Sequence, residues 1–435
     1  MLKLVEKKRL IELLDHEDDR VIIAATCALA RFFPGSKNII SHLLRIGNIN
    51  KKTKLTLLGK IKYFTPTEDD IRQILSLFTS FNDDPSLDAE LLRIHIISTL
   101  LEYPFPVLEK NSSAFAFNEG LLGIYEMVKE QEEVKRLEPE VLWENLEKLC
   151  LEYPDYDVMD SEDSDFAEAL VKALSQKGEP IKHKIVMYLS QGSMNNYSLE
   201  FCLVRLAGKL RLKETVPYLF SILMEYEPAD LINEACIHTL GEIGTPDVVE
   251  TIGKLYPAHE KRRGFFADIL ESIPYPYAEN MAIKLIKKEH DIETKTFLAD
   301  ALCSIFSIKS SKVLIDIIRK KQYNPILMSL LDSLIPVYVY HGKTIDNMAE
   351  LEKISKEYND EFNSPDPFYQ MIKQRRARAK LKSWGVPDDY DDIENDPYED
   401  IENQEGKIIE FPGKTKQNPL NKNIRNKRKN KSKKQ

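Results

Sequence analysis

The sequence predicts an all-α chain, an α-solenoid of stacked antiparallel helix pairs with a disordered C-terminal tail. Three observations predict it. Short apolar pentads recur about every thirty residues, the positions around them keep a 3.6-residue apolar period, and glycine is scarce. Only 16 of 435 residues are glycine, where average usage of about 7% would supply about thirty. Folds that depend on tight turns and glycine-lined phosphate loops are therefore disfavoured. With 43% apolar residues the chain can still bury a sizeable core.

In chain order, Leu29-Ala-Arg-Phe-Phe33, Leu58-Gly-Lys-Ile-Lys62 and Leu100-Leu-Glu-Tyr-Pro104 set the theme and mark residues 1–105 as an N-terminal array. Residues 106–179 read as degenerate repeats with acidic surfaces. There Leu151-Glu-Tyr-Pro154 ends a helix as Leu101-Glu-Tyr-Pro104 does, because the residue before a proline resists the helical conformation. An acidic loop is expected near Asp155–Asp165.

The pentads return as Leu206-Ala-Gly-Lys-Leu210, Leu240-Gly-Glu-Ile-Gly244, Leu270-Glu-Ser-Ile-Pro274, Leu302-Cys-Ser-Ile-Phe306 and Leu331-Asp-Ser-Leu-Ile335. They mark residues 180–384 as a second array, and each is expected to close an amphipathic helix. Ile232, Ala235, Cys236, Thr239, Leu240 and Ile243 fall on one helical face. The next helix begins with Thr245 as N-cap and Pro246 in the first turn, runs through Val248, Val249, Ile252 and Leu255, and stops at Pro257. Phe297, Ala301, Leu302 and Ile305, then Val313, Leu314, Ile317 and Ile318, repeat the scheme. A helix from about Pro367 to Trp384 is expected to cap the array. One such hairpin cannot bury its apolar face alone, so neighbours must stack.

The 61 Lys+Arg and 70 Asp+Glu give a net charge of -9 that is strongly segregated. Residues 126–168 hold 16 acids and 4 bases; residues 386–406 hold 10 acids and no base; residues 407–435 hold 11 bases and one acid. From Gly385 onward the apolar density collapses, so 385–435 is expected to be a disordered tail, acidic and then basic.

These features resemble the HEAT-repeat family, in particular its shorter HEAT-like repeats. The closest matches are Asp18-Asp-Arg-Val21 running into Ala24, Ala25, Ala28 and Leu29, and Asn233-Glu-Ala-Cys236 running into Leu240-Gly-Glu-Ile-Gly-Thr-Pro-Asp247. The likeness covers roughly 3–105 and 180–340 and implies an α-solenoid. Pro274, Phe306 and Ile335 stand where the closing glycine is expected, which suggests a different turn in those repeats. The scaffold also resembles that of deoxyhypusine hydroxylase, which binds two irons through four His-Glu dipeptides. Only His16-Glu17 and His259-Glu260 occur here, half the ligands that such a site requires.

No other chemistry is marked. Gly342-Lys-Thr344 and Gly413-Lys-Thr415 echo the end of a phosphate loop, but Val337 and Ile408 occupy the places where its first glycine must be. Neither H-E-x-x-H nor G-x-S-x-G occurs. Cys27, Cys150, Cys202, Cys236 and Cys303 are widely spaced with no C-x-x-C pair, as expected of small buried hydrophobes in a reducing compartment. The longest early apolar run, 21–33, is too short to span a membrane, and a cytoplasmic location is expected.

The candidate binding residues are therefore electrostatic. Lys373, Arg375, Arg376, Arg378 and Lys380 form a basic helical face, and Lys427, Arg428 and Lys429 lie in the basic tail. Between them, Tyr390, Ile393, Tyr398 and Ile401 anchor two tandem acidic octads that read as a linear binding motif or a solvating spacer. The octads are expected to fold back on the basic face and compete with an external anion. The expectation is a non-catalytic scaffold without cofactor that binds a protein or peptide partner, the tail adding electrostatic contact. The alternative is a nucleic-acid- or ribosome-associated factor driven by that tail.

Overall fold

A computed structural model describes residues 3–49, 53–81, 86–116, 118–191, 196–227 and 230–362. Among them all regular structure is helical, in twenty-two α-helices joined by short loops and 3-10 turns. The first are α1 (Lys7–Glu12), α2 (Asp19–Phe32), α3 (Ile40–Ile49), α4 (Lys54–Leu58), α5 (Glu68–Thr79), α6 (Leu87–Glu102), α7 (Phe105–Glu109) and α8 (Ser112–Phe115). Next come α9 (Glu119–Lys135), α10 (Pro139–Glu152), α11 (Ser161–Lys177), α12 (Glu179–Ser190), α13 (Tyr197–Lys209) and α14 (Val216–Glu225). The series ends with α15 (Leu231–Ile243), α16 (Pro246–Leu255), α17 (Arg263–Glu271), α18 (Pro276–Ile286), α19 (Ile292–Ser304), α20 (Ser311–Arg319), α21 (Leu330–Tyr340) and α22 (Met348–Phe362). All lie in one compact unit, Met1–Ser364. The expected capping helix and tail lie outside the described residues.

Local chemistry sets the helix ends. Asp18 accepts the Arg20 N–H at the start of α2, and Thr67 and Asp70 form a reciprocal capping box on α5. Pro246 opens α16 as expected, although the Thr245 side chain makes no cap bond. The acidic stretch expected as a loop is helical from Ser161. Its acids there occupy the first turns of α11, where the helix dipole favours negative charge.

Seven of the eight pentads close helices: α2, α4, α6, α13, α15, α17 and α19. The exception is Leu331–Ile335, which lies inside α21; that helix runs on to Tyr340 and turns at Gly342. At the end of α15, Gly244 takes a left-handed φ of 54°, and its N–H bonds back to Leu240 at 2.9 Å. Phe306 holds the same place at φ 55° without being glycine, and the Ser307 N–H reaches back to the Leu302 carbonyl at 3.0 Å. Arg211 (φ 51°) and Lys321 (φ 51°) do likewise after α13 and α20. At Phe306, Arg211 and Lys321 the left-handed turn is therefore kept without glycine, at a strain cost carried by ordinary side chains, whereas Pro274 closes α17 without it. The bulk of Phe306 is used, since it is buried against Tyr340.

The first helix of each pair packs on the first helix of the next: α2 on α4, then α6, α9, α11, α13, α15, α17, α19 and α21. The packing runs through positions 105 and 179 without a break. Ile232, Ala235, Cys236, Thr239, Leu240 and Ile243 are all buried in this seam, as are Cys202 and Cys303, and Cys150 is buried on α10. Two glycines permit the closest approaches. A Cβ on Gly241 would stand 2.6 Å from the Ser272 Cβ, and one on Gly208 would stand 3.1 Å from the Thr239 Cα.

Polar links cross the same intervals. Tyr226 donates to the buried Glu200 at 2.5 Å, Tyr256 donates to the buried Glu289, and Tyr358 and Tyr103 donate to the carbonyls of Tyr323 and Ile61. Glu279, also buried, accepts from Ser307 at 2.7 Å and Lys309 at 2.9 Å. Each such bond fixes the spacing of neighbouring pairs because breaking it would strand a buried acceptor.

The series also returns to its start, which the sequence did not foretell. Helix α2 packs on α21. The Leu4 N–H reaches the Pro274 carbonyl at 2.8 Å, the Glu6 N–H reaches the Tyr340 hydroxyl at 2.7 Å, and Arg20 pairs with Asp332 at 2.7 Å. Cations supply donors to carbonyls that helix ends leave without partners: Lys3 bonds to the Phe32 carbonyl at 3.1 Å and Arg9 to that of Tyr340 at 3.2 Å.

Gly241→Ala is expected to lower stability by about 1–3 kcal/mol, because the Ser272 Cβ can retreat only with its backbone. Arg211→Gly, at an exposed left-handed position, should raise it by up to about 1 kcal/mol. Urea unfolding of both variants measures the two signs.

Candidate binding surface

The closure of the series brings charged residues near several helix ends together. Arg31, at the end of α2, pairs with Glu271 at the end of α17, and Glu271 also accepts from Ser304 of α19 at 2.9 Å. Glu102, at the end of α6, pairs with Lys172 of α11 at 2.8 Å, with Lys62 and Lys209 close enough to act on it. Tyr63 lies between the two groups and feels both Glu102 and Arg31. Asp268 and Asp300 extend the patch beside Glu271. Arg205 of α13 pairs with Glu168 of α11 in the same manner. Thus residues 31 to 304 in the chain contribute to one connected array of charges.

Arg31 and Asp268 are open to solvent, yet protein surrounds both closely enough to strip away part of their hydration. Burial is accordingly the largest influence on each. It pushes the Asp268 carboxyl up to about 7, with Glu271 and Asp300 adding to the rise and Arg31 opposing it. Burial also acts to raise the Glu102 carboxyl, but Lys172, Lys209 and Lys62 outweigh it and hold the group below the usual range. Burial lowers His95, with Lys62 and Lys60 adding to the effect. Glu102 thus stays charged among its lysines, whereas Asp268, with two carboxylates beside it, changes its charge near neutral pH.

A second charged surface lies on the last pairs. Two grooves of about 460 and 520 Å³ share Lys312. Lys287, Lys295 and Lys320 line the first, and Lys309 and Lys343 line the second.

The residues singled out from the sequence are not among these. Lys373, Arg375, Arg376, Arg378, Lys380, Tyr390, Ile393, Tyr398, Ile401, Lys427, Arg428 and Lys429 all lie outside the described residues. His16-Glu17 precedes α2 and His259-Glu260 precedes α17. Sequence reasoning missed the inner array, although a signal for it existed. The aligned pentads carry Arg31, Lys60, Glu102, Gly208, Glu242, Ser272, Ser304 and Ser333 at their third place, polar in all repeats but one and beside buried leucines. No helix among the described residues is long and apolar enough to cross a membrane. Compared with known proteins, the chain matches no family model and no curated sequence.

The raised Asp268 carboxyl has a consequence of definite sign. Below its unfolded value near 4 both states are protonated; as pH rises toward 7 the unfolded chain ionises first, so folding stability is lost across that window. Asp268→Asn removes this loss. The variant should melt at a higher temperature than the parent at pH 7 and show no such gain at pH 4, as measured by circular dichroism melts at both values.

Proposed function

We propose that this chain is a HEAT-like α-solenoid that serves as a non-catalytic scaffold and binds a protein or peptide partner along this charged array. One observation carries the reading. Charged side chains from helix pairs far apart in sequence are brought to one surface and held there by ion pairs between pairs, among them Arg31–Glu271 and Lys172–Glu102. Fixing long side chains in advance reduces the ordering cost that a partner must overcome. The apolar seam beneath them keeps the helices at set distances, so the pattern of charge is a property of the fold. Mixed signs suit a protein surface of matching polarity, since electrostatic complementarity selects partners and suppresses wrong ones. The basic tail adds a further electrostatic contact, which raises the effective concentration of a tethered partner.

The test is affinity purification from the source cell with three forms of the protein: the full chain, the chain lacking 386–435, and a Lys209→Glu/Glu242→Lys variant. Both substituted residues are exposed, the Glu242 carboxylate lying over Gly208 next to Lys209, and a melt establishes that the variant is folded. A protein partner should survive removal of the tail and fall at least about tenfold in recovery with the double reversal, a change of about 1.4 kcal/mol. A partner lost only with the tail, through binding that weakens steeply with salt, would instead establish the tail-driven nucleic-acid reading.

A further inference from the structure

The lysine-lined grooves on the last helix pairs carry an inference of their own. Of the six lysines that line them, two are already committed. Lys309 bonds to the buried Glu279 at 2.9 Å, and Lys320 bonds to Asp316 at 2.7 Å. Lys287, Lys295, Lys312 and Lys343 form no ion pair among the described residues. Asp316 is the sole carboxylate lining either groove, and it is spent on Lys320. Core formation does not require this arrangement, because Leu314, Ile317 and Ile318 already bury the apolar face of α20. Four ammonium groups without ion pairs, around two shallow and open neighbouring depressions, repel one another and make this patch of surface positive.

The floors identify the ligand further. Ile286 and Ile317 underlie the first groove with the half-buried Val313 at its side, and the half-buried Ile308 and Tyr338 line the second. No arginine lines either groove, although arginine is the residue whose planar fork matches phosphate in two bonds. Only Tyr338 offers a ring, which is too little to stack successive bases of a single strand. A duplex would gain nothing from aliphatic floors. A peptide that alternates carboxylates with aliphatic or aromatic residues would use every feature: ammonium groups for its acids, and shallow apolar floors for its anchors.

We propose that these grooves together form a docking site for an acidic peptide segment of a partner, with carboxylates on Lys287, Lys295, Lys312 and Lys343 and aliphatic or aromatic anchors over Val313, Ile308 and Tyr338. The proposal rests on the reading of the chain as a protein-binding scaffold and supplies the chemistry of one of its partners.

Fluorescence anisotropy on the full chain tests it with a labelled peptide made of three tandem copies of Tyr-Glu-Asp-Ile-Glu. Parallel probes are the same peptide with Tyr and Ile replaced by Ser, and a short DNA duplex. Lys295→Glu/Lys312→Glu should weaken the first peptide at least about tenfold, and Lys287→Gln/Lys343→Gln should weaken it by a smaller factor. The serine peptide should bind the parent more weakly than the first peptide does. All four lysines lie at the surface or half-buried, and melts show whether each variant is folded. Unchanged peptide affinity in both variants overturns the proposal. So does a duplex that binds the parent more tightly than the peptide and loses affinity with the same substitutions. Failure here leaves the Lys209/Glu242 purification result intact, so the two readings can fall separately.

Discussion

No helix pair in this chain can cover its own apolar side, and every other feature follows from that constraint. Leu240 on α15 is fully buried only because α13 and α17 flank it, and Leu206 and Leu270 depend on their neighbours in turn. Each such side chain stabilises the fold by about 1.5–3 kcal/mol relative to exposure, and the seam contains one after another along the whole series. The polar bonds between pairs are worth about 1 kcal/mol net apiece. Apolar burial therefore provides the stability, and hydrogen bonds such as Tyr226–Glu200 and Tyr256–Glu289 set the register at which it is obtained.

A seam of this kind usually leaves its first and last members with one uncovered side. Here α2 and α21 cover each other, and donors from the first residues satisfy groups at the ends of later helices. The closure has an electrostatic result. Helix ends that would lie apart in an open array are drawn together, and their terminal polar residues become mutual neighbours. Arg31 meets Glu271 across a sequence separation of 240 residues. The same crowding desolvates Asp268 while leaving it in contact with water.

The two charged surfaces differ in physical character. In the first array, Arg31, Glu102, Lys172 and Glu271 largely neutralise one another, so the array presents fixed shape and alternating polarity. On the outer grooves the charge is of one sign and uncompensated at Lys287, Lys295, Lys312 and Lys343. The first kind of surface favours discrimination between partners. The second favours attraction, and its strength depends on ionic strength.

The sequence by itself determined what is periodic and local. The 3.6-residue pattern located the helix that ends at Ile243, Pro246 marked the start of the next, and the pentads marked seven helix ends, because these depend on residues within a few positions of each other. It misplaced Leu331–Ile335, whose apolar composition matches a helix interior as well as a helix end. It also took Phe306 to signal a different turn, since composition does not reveal that burial against Tyr340 offsets a left-handed backbone. Only the tertiary structure decided that α2 meets α21, that Arg31 faces Glu271, and that lysines from α19, α20 and the loop after α21 surround common grooves. Such neighbours are fixed by how many pairs stack and by how much each turns relative to the last. That is a sum of small packing angles along the whole series, and no single segment encodes it.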